Sequence, residues 1–524
     1  MKQWVTIVSR RATCFRVRRT RLFGLCVGVG TAVTTQAQLT KPIRLVSVPV
    51  ELGGFVTSQL ATPFWLRANQ YGVVPLTGST ATLRTGIYSD YRPVQVDSGT
   101  TKRRRFDWGF GVEAVTNAGA GPSRPAQVLL PEAYVKGRWG QFELFAGRRR
   151  SIVGLVDTAL TTGAYAQSGN ALPLPVVQFG TRGFVDVPFT KGLLAFNAFY
   201  NYGWFENVNR RVLDTRLHQK ALYVRLGKPR WRVKGYVGLN HQVVWGGYSP
   251  YLSNSVSNNG DLPSSLAAYF YVVTAIPYPD ASVDPNVSSI DEGNRIGNHL
   301  GSLDLGVSIR LTNGRLLLYR QNPYDTGALF YLTTIADGLN GLSYRRYQPG
   351  AGGLSVDGVL LEWLYTQNQG GPEFVIDDPY RRGKVNYFNN AQYVDGWTYY
   401  GRTIGTPFFT PQAEIKTPLP PGYPIANNRV SAWHLGLSGQ AGGRLQWLLK
   451  LSYSQNFGTY DIPYPSGTHQ FSSLLNVSSA LRLPALGRCR LITSVAVDQG
   501  RLLVNSSGVY VGLRKVFLTQ SAQP

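Results

Sequence analysis

Apolar and polar residues alternate along residues 299–321, and this alternation recurs through much of the chain. The apolar positions are Leu303, Leu305, Val307, Ile309 and Leu311, and the polar or small positions are Ser302, Asp304, Gly306, Ser308 and Arg310. Because successive side chains of a strand point to opposite faces, the pattern predicts a strand with one apolar and one polar face. Asn313 and Gly314 follow, and both accept positive φ, so a tight hairpin is predicted there.

Similar patterns predict further strands in most of the remaining sequence. They cover 106–115, 132–150, 193–205, 220–226, 231–245, 356–367, 431–454, 473–483, 488–497 and 507–517. In the hairpin 431–454, Trp433 is assigned to the apolar face, whereas Ser431, His434 and Ser438 are assigned to the polar face. Residues 246–297 and 369–428 are long Pro-rich loops, the first with a short helix predicted near Ser264–Ala275. The chain is therefore predicted to be all-β.

A membrane barrel explains this pattern better than a soluble β-propeller or sandwich. Trp and Tyr lie near the predicted strand ends, where interfacial girdles place them, and the polar faces suit a wet interior. One strand per ~25–27 residues gives roughly 16–20 strands. Side chains alone do not fill so wide a lumen. We therefore predict a transmembrane antiparallel β-barrel of about 18 strands, with long loops partly filling the lumen.

The N-terminal 37 residues have the composition of an export signal. Seven basic residues precede a 12-residue apolar run, Leu22 to Val33, and Thr35-Gln36-Ala37 is an acceptable cleavage site. No later segment is apolar enough to form a transmembrane helix. The predicted organisation is a signal peptide (1–37), an N-terminal periplasmic segment (38–60), an outer-membrane barrel (61–518) and a C-terminal tail (519–524).

The charge balance points to an anionic partner. The chain carries 53 Lys and Arg, of which 41 are Arg, against 28 Asp and Glu. Without the predicted signal the net charge is +18. Arg binds carboxylate and phosphate in bidentate geometry. An exported chain rarely meets nucleic acid, so the expected partners are outer-membrane lipids, lipopolysaccharide and acidic polysaccharide. A single mature cysteine, Cys489, and the absence of Cys/His metal spacing predict no metal and no cofactor.

Several short motifs together resemble the capsule assembly Wzi family of Gram-negative outer-membrane proteins. They are Pro63-Phe64-Trp65-Leu66, Phe145-Ala146-Gly147-Arg148, Gly169-Asn170-Ala171-Leu172-Pro173, Asn298-His299-Leu300-Gly301-Ser302, Leu318-Tyr319-Arg320-Gln321, Asp337-Gly338-Leu339-Asn340-Gly341 and Gly396-Trp397-Thr398-Tyr399-Tyr400-Gly401-Arg402. The resemblance implies an 18-stranded outer-membrane barrel. It also implies a lectin-like, non-enzymatic role in holding capsular polysaccharide at the cell surface. We expect the barrel to be monomeric.

Residues that combine aromatic rings, guanidinium groups and amides are the candidates for sugar binding. They are Arg148, Arg149, Arg150, Asn170, Arg320, Gln321, Asp337, Asn340, Trp397, Tyr399, Tyr400 and Arg402. Sugar rings stack on aromatic faces, and Arg binds sugar carboxylates. Each group has a structural alternative: a charged rim for the three consecutive arginines, loop packing for 397–402, loop-fixing hydrogen bonds for Arg320 to Asn340, and a turn for Asn170.

Two other functions remain as alternatives. An Arg-rich lumen would also suit a porin for anionic solutes. An outer-membrane enzyme would need an activated nucleophile, for which His434 beside Ser431 and Ser438 is the available set. We expect no catalytic activity.

Overall fold

A computed structural model describes residues 44–521 except 93–94, 98–99, 103–104, 120–125, 279–283, 293, 326, 351, 376, 379–380 and 418–421. The predicted signal peptide lies outside the described residues. Eighteen long strands form the main sheet: β1 Arg44–Thr57, β2 Thr80–Ser89, β3 Phe106–Gly119, β4 Gln127–Trp139, β5 Phe142–Arg148, β6 Val176–Thr181, β7 Leu194–Trp204, β8 Arg216–Leu226, β9 Val233–Trp245, β10 Asn298–Arg310, β11 Gly314–Tyr324, β12 Gly338–Arg346, β13 Leu354–Tyr365, β14 Val430–Ala441, β15 Leu445–Asn456, β16 His469–Leu483, β17 Gly487–Gly500 and β18 Ser506–Ser521.

Each strand pairs antiparallel with the next along the chain, and β1 pairs with β18 to close the barrel. Val185–Asp186 adds a short pairing to β7. The all-β barrel prediction is confirmed, but its N-terminal boundary is wrong. Part of the predicted periplasmic segment forms β1, because its residues register with β18 from Arg44–Ser521 to Thr57–Gly508. The same pairing extends β18 into the predicted tail.

The outer wall of the barrel is apolar and the inner wall is polar. On β10, Leu305 and Val307 are 43% and 38% exposed, whereas Asp304, which precedes Leu305, is fully buried. The predicted hairpin joins β10 to β11, but neither Asn313 nor Gly314 adopts the positive φ on which the tight turn was predicted. Ser431 departs from its predicted face: it lies outside with Trp433, where it accepts a hydrogen bond from the indole of Trp363.

Aromatic side chains mark both ends of the apolar wall. One set comprises Phe106, Trp108, Trp139, Phe142, Phe179, Trp447 and Phe517, and the other comprises Tyr200, Trp204, Trp363, Trp433, Tyr453 and Phe471. Such girdles lie at the two membrane interfaces of outer-membrane barrels. The wall between them faces lipid, and the chain is an outer-membrane protein. Within the described residues, no helix is long and apolar enough to span a membrane.

The connections differ in length at the two ends of the barrel. Strand direction alternates, so the long loops 58–79, 149–175, 246–297 and 366–429 emerge at one end. The connections at the other end, of which 90–105 is the longest, are shorter, and both ends of the described chain lie there. In outer-membrane barrels the long loops are extracellular and the short turns periplasmic. We use these two names for the ends below.

Three extracellular loop segments fold back into the lumen, and we call residues 62–74, 151–175 and 385–411 the plug. Helix α1, Phe64–Arg67, belongs to the first segment. Trp65, Leu160, Trp397 and Phe409 are at most 1% exposed and belong to one apolar cluster with the inner wall. The prediction that loops fill part of the lumen is confirmed.

A fourth loop covers the outside of the barrel, and we call the described part of residues 246–297 the flap. Its helix α2, Leu266–Thr274, agrees with the predicted short helix and starts at a Ser265 cap. Tyr269 stacks on outward-facing Trp245 with ring centroids 5.0 Å apart. Leu266 and Phe270 remain 85% and 57% exposed. Since the strands beneath face lipid, the flap extends that apolar surface towards the extracellular end.

Replacing Leu305 by Arg tests the orientation of the wall. A charge on the lipid face at mid-height should lower the free energy of unfolding by about 2–4 kcal/mol. Leu305→Ala is the matched control, since it removes apolar area without adding charge. Urea unfolding in lipid vesicles measures both variants, and an Arg variant no less stable than the Ala variant would place Leu305 away from lipid.

Candidate functional site

Carboxylates of the inner wall hold the plug by its backbone. Asp304 accepts from the Leu155 amide at 2.7 Å, Glu362 from Thr162 at 2.6 Å, and Asp498 from Phe64 at 2.7 Å. Each acceptor is at most 4% exposed. Removing a buried acceptor leaves the backbone donor unsatisfied, which costs more than the net contribution of the bond itself. The wall therefore fixes both the 62–74 and 151–175 segments in place.

Basic wall residues bind the same plug segments from other strands. Arg345 pairs with Asp157, and Lys450 Nζ donates to the Thr161 carbonyl at 3.1 Å. Gly436 allows close approach, because a β-carbon there would lie 2.9 Å from Leu160 Cβ. The lumen at this height is thus filled by protein.

His434 also belongs to this plug contact. Its Nδ1 lies 2.7 Å from Ser452 Oγ, and its Nε2 lies 2.8 Å from the Leu160 carbonyl oxygen. Both ring nitrogens are engaged within the buried interior, and Ser431 lies on the opposite face of the strand. The Ser–His arrangement considered from the sequence is therefore not assembled.

A second polar group, which we call the mouth cluster, lies at the extracellular end and comprises Arg148, Glu206, Tyr399 and Tyr400. Glu206 accepts hydrogen bonds from Tyr399 and Tyr400, both at 2.8 Å, and pairs with Arg148. The Arg148 guanidinium lies 5.8 Å from the Tyr399 ring centroid. The Glu206 side chain is 42% exposed. The cluster therefore offers the Tyr400 ring and the Glu206 carboxylate to solvent, beside an Arg148 side chain that is 12% exposed.

Tyr400 is held in a backbone conformation that bulky residues rarely adopt. Thr398–Tyr399 pairs with Arg402–Thr403, and the turn between them places Tyr400 at φ 50° and Gly401 at φ 70°. Two successive positive φ values are typical of a type I′ turn, which favours Asn, Asp or Gly. Strained residues concentrate at functional sites, where the surrounding structure maintains them. Here the hydrogen bond to Glu206 ties the Tyr400 ring over the cluster.

The charge state of the mouth cluster follows from these contacts. Burial opposes ionisation of Glu206, but hydrogen bonds from Arg148, Tyr399 and Tyr400 outweigh it and lower the pKa of this carboxyl. Burial and the Glu206 carboxylate raise the pKa of the Tyr400 hydroxyl. At neutral pH the cluster therefore combines an anionic Glu206, a cationic Arg148 and two neutral phenols.

The three consecutive arginines do not form one clamp. Arg149 pairs with Glu143 at 2.6 Å and lies 3.8 Å from the Phe145 ring centroid. Arg150 pairs with Glu113 at 2.5 Å in the lumen. Only Arg148 belongs to the mouth cluster, at the extracellular end of β5. The three arginines are separated because the side chains of successive residues at the end of a strand point in different directions.

Trp397, Arg402 and Asn170 lie inside the plug. The Trp397 indole donates to the Ala166 carbonyl at 2.6 Å, and Asn170 Nδ2 donates to the Thr403 carbonyl at 2.9 Å. Arg402 Nη2 donates to the Val74 carbonyl at 2.7 Å. All three side chains are buried. These contacts join the three plug segments to one another. For Trp397 and Arg402 they correspond to loop packing, the structural alternative to sugar binding.

The remaining candidates divide between the two faces of the wall. Gln321 and Asp337 lie inside: Gln321 contacts Asp304 at 2.7 Å, and Asp337 accepts from Tyr387 at 2.8 Å. Arg320 and Asn340 lie on the outer face, where they hydrogen-bond each other at 2.6 Å. Arg320 also donates to loop carbonyls at residues 335 and 337. These contacts are those of loop-fixing residues.

Glu206 is the mouth residue that sequence reasoning missed. It follows the aromatic strand β7 directly, as Trp204-Phe205-Glu206, and Phe205 packs on Tyr399 at 5.9 Å between ring centroids. A carboxylate next to aromatic residues at a strand end was the available signal. Within the described residues, no group of His, Cys, Asp and Glu is arranged to hold a metal ion.

The fold is similar to solved outer-membrane barrels. Wzi from Escherichia coli, described as a carbohydrate-binding β-barrel involved in group 1 capsule assembly, is 13% identical with a TM-score of 0.53, over 89% of this chain and 84% of Wzi. OpdK from Pseudomonas aeruginosa is 11% identical with a TM-score of 0.45, over 91% of this chain and 99% of OpdK. OccK5 from the same organism is 9% identical with a TM-score of 0.42, over 91% of this chain and 98% of OccK5.

The sequence itself matches no protein-family model and no curated protein. At these low identities the structural likeness shows the fold alone. It supports an outer-membrane barrel without assigning a ligand.

A buried acid predicts how the flap responds to pH. Burial raises the pKa of Asp291 to about 7, although hydrogen bonds from Gln392 and the Gly297 amide oppose the rise. A raised folded-state pKa means that this contribution to stability is full below ~3.9, the unfolded value, and is lost as pH rises through about 7. We expect amide hydrogen exchange in the flap, corrected for intrinsic rates, to be faster at pH 8.5 than at pH 6.

The matched variant is Asp291→Asn, which keeps an oxygen acceptor for Gln392 and the Gly297 amide. It should remove most of the pH dependence of flap exchange while leaving exchange in β10 unchanged. Equal pH dependence in the wild type and the variant would assign the effect to another group.

Proposed function

We propose that this protein binds an acidic surface polysaccharide at the extracellular mouth of the barrel and takes part in capsule assembly or retention without catalysis. The observation that carries the proposal is the mouth cluster over a filled lumen. Sugar rings present apolar C–H faces for Tyr400, and their hydroxyls and carboxylates match Glu206 and Arg148. The description of the similar Wzi barrel as carbohydrate-binding supports the same function.

The mouth cluster also lies at the extracellular end of the barrel, where a surface polysaccharide can reach it. Arg148 lies at the extracellular end of β5, and Glu206 follows the extracellular end of β7. Tyr400 is partly exposed, while its neighbours Tyr399 and Trp397 are buried below it. A rigid base under an exposed ring limits the conformational entropy lost on binding. The expected ligand is therefore a chain that lies across the mouth.

A porin for anionic solutes is the second candidate. The observation that favours it is the number of arginines on the inner wall, including Arg84, Arg150 and Arg514. Against it, the plug fills the lumen above them, with Trp65, Tyr165 and Trp397 nearly inaccessible. The two candidate functions predict different ion conductance: a porin conducts anions freely, whereas a plugged polysaccharide-binding barrel conducts poorly.

Replacing Tyr400 by Ala tests polysaccharide binding. Loss of the aromatic face should weaken binding of the host's acidic exopolysaccharide about tenfold, or ~1.4 kcal/mol, as measured by titration of the detergent-solubilised barrel. Tyr400→Phe keeps the face and loses the bond to Glu206, so its affinity should be intermediate. Binding should also weaken as salt screens the Arg148 contact.

Tyr347→Ala is the matched control, because Tyr347 is 46% exposed at the periplasmic end. Its affinity should equal that of the wild type. A Tyr400→Ala protein that binds polysaccharide as tightly as the wild type would remove the mouth cluster from the proposal.

Planar-bilayer conductance separates the two candidates. The wild type should conduct poorly, and the double variant Asp304→Ala, Glu362→Ala should conduct several-fold more, because the plug loses the acceptors of two backbone amides. Glu373→Ala, an exposed loop acid that is paired with Arg381, is the control. A wild type that already conducts anions as freely as the double variant would favour the porin.

A further inference from the structure

Arginines of the inner wall face each other across neighbouring strands at the periplasmic end. The registered pairs are Arg310–Arg315, Arg315–Arg345, Arg482–Arg488 and Arg490–Arg514. They lie an even number of residues from lumen-facing positions such as Asp304 on β10 and Asp498 on β17, so they share the lumen face. Like charges directly opposite one another destabilise a sheet. Four such pairs at one end of the lumen need a physical explanation.

The protein itself neutralises only part of this charge. Arg345 pairs with Asp157 of the plug, and Arg514 lies 3.9 Å from Glu51. Among the described residues, Arg315 and Arg488 form no ion pair, and both side chains are exposed to water in the lumen. An anion that entered from the periplasm would relieve the repulsion.

A cavity continues this basic surface beside Arg514. It is open to solvent and is lined by Glu51, Arg84, Glu113, Arg150 and Arg514, together with Pro49, Thr85 and Gly86. The Nε atoms of Arg84 and Arg150 are buried and have no hydrogen-bond partner in the described structure. Glu132 also lies 3.9 Å from Arg150, so three carboxylates balance the three guanidinium groups, and the two Nε donors remain unused.

We propose that this arginine-lined periplasmic end of the lumen, the vestibule, binds a carboxylate-bearing polysaccharide chain. The closed wall separates the vestibule from lipid headgroups, and the plug separates it from the mouth cluster. Neighbouring strands lie ~4.8 Å apart, so arginines on successive strands form a row that suits a linear chain with repeated carboxylates. Arg binds such groups in bidentate geometry. The ligand class rests on the proposed function, whereas the location rests on the arginine pairs alone.

The test uses the full-length barrel in nanodiscs, titrated with a galacturonate hexamer in a Tyr400→Ala background that weakens the mouth cluster. Arg315→Gln, Arg488→Gln should weaken binding at least tenfold and flatten its salt dependence. Arg381→Gln, Arg501→Gln removes the same charge from the extracellular loops and should leave binding unchanged. Maltohexaose, a neutral chain, should not bind.

Several outcomes would overturn the proposal. They are unchanged affinity in the Arg315, Arg488 variant, equal binding of maltohexaose, and displacement of the hexamer by an equal concentration of inorganic phosphate, which would indicate a small-anion site. Because the pairs repel, the ligand-free variant should also unfold at a higher temperature than the wild type. A lower temperature would make these arginines structural.

The experiment can refute the proposal for the vestibule and the proposal for the mouth cluster separately. If Tyr400→Ala alone removes all binding, the vestibule proposal is wrong and the proposed function stands. If Tyr400→Ala leaves all binding intact and the arginine variant removes it, the mouth cluster is wrong and the vestibule stands.

Discussion

The structure depends on buried carboxylates of the wall that accept backbone amides from the plug. Eighteen strands enclose a lumen too wide for wall side chains to fill. The chain fills it with loop segments, and loop backbone needs hydrogen-bond partners wherever it is buried. Asp304, Glu362 and Asp498 supply acceptors from three different strands. The position of the mouth cluster follows, because Tyr399 and Tyr400 belong to a segment that rests on the others.

The two faces of the plug differ in chemistry. Its extracellular side presents phenols, one guanidinium and one carboxylate, which is a nearly neutral surface suited to hydrogen bonding and stacking. The lumen beneath it is lined by arginines that outnumber their acidic partners. A closed wall with different surfaces at its two ends is consistent with contacts to polymer in two compartments.

The sequence predicted the barrel, its strand number and its two long loops, because period-2 alternation is a local property. It missed β1, β2, β6 and β12. In β1, Pro49, Gly53 and Gly54 blur the alternation, and the pairing with β18 is not local. It assigned Ser431 to the wrong face because polarity was taken as the indicator of the lumen. The candidate site was predicted in part: Arg148, Tyr399 and Tyr400 meet, but Glu206 lies about 190 residues from Tyr399 along the chain.

The seam between β1 and β18 joins the first and last described strands. Sheets built from such distant segments form slowly, since loop closure precedes any stabilising contact. Until residue 506 onwards is available, both terminal edges of the sheet have unpaired amides and carbonyls, which invite association with other chains. Both edge strands therefore need protection from other chains during synthesis and export. The open sheet closes into a barrel only when β18 pairs with β1.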